Sequence, residues 1–127
     1  MRAIGILKAG GPEVLQIVEL PDVHAGRNQV RIRIRAVAVN PVDTMLRVGK
    51  KFDQPNPEPF IVGMDLAGHI DEIGPDTETD FKVGDPVIAM TLPREGLGSY
   101  RENIVLAVDA VSPAPKNASI VEASTLS

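Results

Sequence analysis

Asn40, Asp43 and Arg47 stand three and four residues apart in the run Asn40-Pro41-Val42-Asp43-Thr44-Met45-Leu46-Arg47-Val48-Gly49. On a helix that spacing puts an amide, a carboxylate and a guanidinium about one turn apart, near one face. Such a face presents polar groups from a fixed position. Ordinary capping explains the same residues: Asn40 suits an N-cap, Pro41 the first helical position and Gly49 a C-cap. Capping signatures are common and sites are rare, so spacing alone favours the connection over the site. Asp65 lies among apolar neighbours in Phe60-Ile61-Val62-Gly63-Met64-Asp65-Leu66-Ala67-Gly68. It reads either as a hydrogen-bonded structural carboxylate or as a general acid or base, and the structural role is commoner. His24 and His69 have no Cys or His at metal-ligand spacing. Ala9-Gly10-Gly11 runs into Pro12 within a hairpin, without the strand–turn–helix context of a phosphate loop.

These groups need elements to hold them. Met1 to Leu7 and Val14 to Leu20 read as an antiparallel hairpin around Ala9-Gly10-Gly11-Pro12. Pro21 to Asn28 is a loop. Val30 to Val39 is the clearest strand, with Val30, Ile32 and Ile34 alternating with Arg31, Arg33 and Arg35. One face is buried; the other is cationic, either wet or an anion patch, with the wet face favoured. From Ala36 the polar partners vanish, predicting cover on both faces through Val39. Lys50 to Pro59 is a long Pro-rich loop, either a lid or binding rim or a mobile surface excursion. Gly63 and Gly68 predict tight backbone approaches or a bulge in the strand that follows. Pro75 to Asp80 is an acidic, solvated turn. Val87 to Leu92 and Ser99 to Val108 read as strands, the latter carrying Tyr100, and Pro113 and Pro115 break the chain. Asn117 to Ser127 starts as a helix, with Ser119 and Glu122 in capping-box spacing. That helix has no end signal and reads as a chain cut short.

At 127 residues the chain is one domain by length, and buries roughly two thirds of its unfolded surface without a metal or disulfide staple. A net charge of −4 argues against nucleic acid and acidic membranes. The absence of Cys excludes disulfides, thiolate metal ligation and a thiol nucleophile, and fits a reducing compartment. No apolar run spans a bilayer, and no signal peptide is evident, so the chain reads as cytoplasmic. Many short Val- and Ile-rich strands with one or two helices describe a small, mainly β barrel or sandwich.

Four ordered runs carry a resemblance: Asn40-Pro41-Val42-Asp43-Thr44, Gly63-Met64-Asp65-Leu66-Ala67-Gly68, Phe81-Lys82-Val83-Gly84-Asp85-Pro86-Val87 and Gly98-Ser99-Tyr100-Arg101-Glu102. Over nearly its whole length the chain resembles the GroES-like catalytic domain of the medium-chain dehydrogenase/reductase superfamily, and most nearly the zinc-independent quinone oxidoreductase branch. The resemblance implies a partly open β barrel with short helices, followed in the family by a Rossmann domain that binds NADP(H). Zinc-dependent relatives place a Cys ligand where this chain has Asn40, a relay hydroxyl where it has Val42, and Gly-His-Glu where it has Gly63-Met64-Asp65. Neither Asn40 nor Met64 replaces those ligands, so no metal is expected.

The resemblance further implies hydride delivery from NADPH to a quinone or enone, with binding and orientation doing most of the catalytic work. It assigns Asn40 as the catalytic contact and Asn40, Pro41 and Val42 as cofactor contacts. It assigns Asn40, Asp43, Met45 and Asp65 to the substrate side, with Asp43 also anchoring the turn. Met45 stands where close relatives often have Tyr, which leaves a flexible apolar wall in place of a hydroxyl. Tyr100 is expected to be structural. The Rossmann domain and the segments that complete the catalytic domain are absent from these residues. The isolated chain is therefore expected to bind NADPH weakly and to be inactive, with a homodimer expected of the parent enzyme. A second reading is a stand-alone, non-enzymatic GroES-like binding or co-chaperonin-like module. A third is a module of a larger synthase that reduces an enoyl thioester.

Overall fold

The computed structural model describes residues 1–6, 10–41, 43, 60–91 and 98–125. Met45, Val42, Arg47, Gly49 and the Lys50 to Pro59 loop lie outside the described residues. The described elements are β1 (Arg2–Ile6), β2 (Gln16–Glu19), β3 (Gln29–Ala36), β4 (Phe60–Ile61), β5 (Asp65–Ile73), β6 (Pro86–Met90), β7 (Asn103–Ala107) and β8 (Val111–Pro113), with short helical turns between and after them. They form a three-stranded sheet ordered β2-β1-β4 and a five-stranded sheet ordered β7-β3-β5-β6-β8. Every pairing is antiparallel.

The segment from Gly98 to Glu102 joins the two sheets. Ala3 bridges to Arg101, Ile4 N donates to Tyr100 O (2.8 Å), and Ile34 N donates to Glu102 O (2.9 Å). These bonds tie β1 on one side and β3 on the other to a single extended stretch. The sheets therefore curl into the mainly β, partly open barrel that was expected.

β3 shows why this sequence makes this sheet. Val30 and Ile32 are buried and cluster with Leu66, Ile70, Val87, Ala89, Ile104 and Val111. Arg33 and Arg35 stand exposed on the other face, while Arg31 is half-buried and paired with Asp71 (2.8 Å). Gly68 is required opposite β3: a Cβ there would strike the carbonyl of Arg33, beside a register shift between Ile34 and Ala36.

Several boundaries differ from the sequence expectation. β3 stops at Ala36, and Val39 is 77% exposed, so the cover on both faces through Val39 is not realised. Among the described residues the unbroken apolar run after Ala36 has no pairing strand, and apolar character alone does not bury a chain end. The second strand is Gln16–Glu19, because Pro12–Val14 forms a 3₁₀ turn first. The last long strand begins at Asn103 rather than Ser99, since Ser99 to Glu102 makes the inter-sheet bridge. Pro113 does not break the chain but ends β8, which is an edge strand, where the missing N–H costs no ladder bond. The capping box at Ser119 and Glu122 is present, on the helical turn Ile120–Ala123.

Candidate functional site

The chain leaves β3, runs through Val37 to Val39, and turns helical at Pro41. Asn40 precedes that turn. Asp43 N donates to Asn40 O (3.0 Å), and Asn40 N donates to Asp43 Oδ2 (2.9 Å). This is one half of a capping box, made by the residue three positions into the turn. The Asn40 side chain does something else: its Nδ2 donates to Asp65 Oδ2 at 2.8 Å. The N-cap position expected of Asn40 is occupied, while its amide reaches the start of β5.

Asp43 is the hub of the arrangement. It is only 4% exposed. Its Oδ2 accepts from Asn40 N and from the Tyr100 hydroxyl (3.2 Å), and its Oδ1 accepts from Gly63 N (3.1 Å). Three donors satisfy a buried carboxylate that would otherwise be costly. The expected anchoring of the turn by Asp43 is thus in place. Gly63 sits at φ +108°, where L side chains are strained, and a Cβ there would meet Ser99 and Tyr100. Glycine is what allows the two runs to close on each other.

Asp65 is half-buried at the first position of β5, paired with Met90 of β6. On its other side Ser99 Oγ donates to Asp65 O (3.0 Å), and Ser99 N donates to Gly63 O (3.1 Å). So Asn40, Asp43, Asp65, Ser99 and Tyr100 form one network drawn from three distant runs of sequence. The sequence reading singled out Asn40, Asp43 and Asp65. It held Tyr100 to be structural and gave Ser99 no role, and the membership of both became visible only through bonds across 57 and 34 residues. The presence of both in the Gly98-Ser99-Tyr100-Arg101-Glu102 run was the available signal.

A cavity of about 550 Å³ opens beside the network. Ile4, Ile17, Ile34, Val37 and Val39 supply an apolar wall, and Ser99 and Tyr100 belong both to it and to the network. Arg101 also lines it; burial pulls its guanidinium below the ordinary range, and its Nε donates to Asn103 O (2.9 Å). The histidines do not join the network: His24 lies on Glu72 (3.2 Å), and His69 faces Arg33 across β3 and β5. The chemistry of this site is therefore that of fixed donors and acceptors around one amide, suited to orienting a polar ligand. Gly11 lies in the β1–β2 hairpin before a three-residue 3₁₀ turn, and its N–H is taken by Glu13 Oε1 (3.3 Å). A phosphate there would meet a carboxylate, so this glycine pair does not fit the diphosphate of a dinucleotide. No described helix is long and apolar enough to cross a membrane.

Residues 26–116 match the family model for the alcohol dehydrogenase GroES-like domain. The chain is 35% identical over 131 residues to a quinone oxidoreductase of Mus musculus, covering 99% of this chain and 37% of that one. Among solved structures it is similar to the quinone oxidoreductase from Coxiella burnetii, with TM-score 0.84, 26% identity, and coverage of 98% of this chain and 40% of that one. It is also similar to the quinone oxidoreductase of Escherichia coli complexed with NADPH, with TM-score 0.80, 28% identity, and coverage of 98% and 36%. The chain spans about a third of the length of the curated relatives it matches.

Proposed function

Because this chain belongs to the alcohol dehydrogenase GroES-like domain family, among relatives that are quinone oxidoreductases, we propose that it is the substrate-side part of an oxidoreductase that moves a hydride from NADPH to a quinone or an enone. The single observation that carries this reading is the Asn40 amide, held at its main chain by Asp43 and at its side chain by Asp65. NADPH, when bound, supplies the hydride. What the residues of this chain do is bind and orient. Asn40 touches nicotinamide and acceptor, with Pro41 and Val42 beside it on the cofactor side. Met45 contributes an apolar wall for the acceptor. Asp43 and Asp65 belong to the acceptor side as the groups that set the height and tilt of Asn40. Orientation of this kind can supply about 7–11 kcal/mol of barrier reduction at its upper reaches, without a metal or a covalent intermediate. No zinc enters the proposal, since Asn40 and Asp65 are bonded to each other and Met64 is a poor ligand for it.

In this reading the dinucleotide phosphates are held by a further domain, so the 127-residue chain alone turns over no substrate. A homodimer formed through that domain and a cytoplasmic location complete the proposal. The test is to express the reading frame of the source gene past Ser127 and follow NADPH oxidation with simple quinones and enones. Turnover by the longer product and none by the 127-residue chain is the expected result. A folded longer product that neither binds NADPH nor reduces any such acceptor would favour the non-enzymatic binding module.

A further inference from the structure

We infer that Asp65 is a positioning residue that selects one of the two orientations of the Asn40 amide; the consequence for turnover rests on the function proposed above, whereas the pairing itself does not. An asparagine amide has two nearly isosteric flips, one presenting NH₂ and the other presenting oxygen. An ionised carboxylate only accepts hydrogen bonds, so at 2.8 Å it tolerates the NH₂ and repels the oxygen. Asp65 therefore holds one N–H of Asn40 and turns Oδ1 away from itself.

The carboxylate that makes the selection is itself held firmly. The Asp65 backbone pairs with Met90 in β6, and its carbonyl accepts from Ser99 Oγ (3.0 Å). Immediately before it, Met64 O accepts from Thr91 N (2.7 Å) and Gly63 O accepts from Ser99 N (3.1 Å). The Asn40 main chain is fixed independently, through Asp43 Oδ2 at 2.9 Å. With backbone and amide pinned by different carboxylates, the groups Asn40 has left for a ligand are Oδ1 and its second N–H, in a set order. A ligand at Asn40 thus meets an acceptor and a donor whose places cannot exchange. Asp65 acts on the reaction through Asn40 and not by its own contact with the acceptor.

The test combines two measurements. In the 127-residue chain, the Asn40 side-chain NH₂ resonances should be slowed in exchange and should change in Asp65→Asn. In the longer, NADPH-oxidising polypeptide, Asp65→Asn lets both flips occur and should lower kcat about 10-fold or more, with KM for NADPH little changed. The exchange Asn40→Asp with Asp65→Asn re-forms the bond with its polarity reversed. It should restore the unfolding midpoint lost by Asp65→Asn but not kcat, which separates positioning from a merely structural role. Recovery of both midpoint and kcat by the exchange overturns the inference, as does an Asp65→Asn variant with unaltered kcat. If the wild-type polypeptide shows no turnover, the proposed function fails and the resonances decide: an Asn40 NH₂ indifferent to Asp65→Asn overturns the inference, and a shifted one upholds the pairing.

Discussion

Asp43 accepts three hydrogen bonds inside the fold, and removal of a buried acceptor leaves its donors unpaired. Asp43→Ala strands Gly63 N–H and the Tyr100 hydroxyl and should cost about 2–4 kcal/mol, read by urea unfolding. Tyr100→Phe removes one donor and leaves a carboxylate that still has two; about 1 kcal/mol is expected. Gly63→Ala combines a backbone at φ +108° with contact against Ser99 and Tyr100, and should lose about 2 kcal/mol or more. A Gly63→Ala variant as stable as the wild type would show that the 63–65 and 98–100 runs can separate without consequence. These residues were legible to different depths. Asn40, Asp43 and Asp65 stood out because polar groups beside apolar runs are few. Their long-range bonds were not legible, because 20 residues separate Asp43 from Gly63, 25 separate Asn40 from Asp65 and 57 separate Asp43 from Tyr100.

Alternation in the sequence of β3 marks its buried face: Val30 and Ile32 have 0% exposure, and Arg33 and Arg35 face solvent. Ile32→Ala should cost about 2–4 kcal/mol by opening a cavity against Ile70 and Ile104. β4 and β8 escaped the reading. Two residues of β4 make no period, and their pairing with Gly5 and Ile6 is non-local. A loop-to-sheet clasp also shapes how these elements respond to acid. Ala25 N–H and then His24 hold the Glu72 carboxyl below the usual carboxylate range, with Arg31 nearby. A depressed carboxyl contributes its full share of stability above its unfolded pKa, about 4.3, and loses it as pH falls through the lower folded value. Glu72→Gln should therefore lower the urea midpoint at neutral pH, with the gap from wild type closing as the pH falls below the usual carboxylate range. A gap independent of pH would mean that the Glu72 charge takes no part in holding the 21–28 loop to β5.

Across the whole molecule, two antiparallel sheets meet at one bridging segment, and that segment carries two members of the network, Ser99 and Tyr100. The barrel thus places the end of β3, the start of β5 and the inter-sheet bridge at one corner. The fold class was legible from Val- and Ile-rich strands punctuated by turns. The inter-sheet bridge was not, because Ser99 to Glu102 has the composition of a strand and pairs as one only at Arg101. The central claim is that the amide assembled at this corner orients the partners of a hydride transfer. The most direct measurement is NADPH-dependent quinone reduction by the polypeptide read past Ser127, wild type against Asn40→Ala, with the folded state of each checked by thermal unfolding. The prediction is turnover by the wild type and a loss in kcat of about 100-fold in Asn40→Ala, with the unfolding transition retained. A folded Asn40→Ala variant that turns over like the wild type, or a folded wild type that reduces no quinone or enone, would contradict the account.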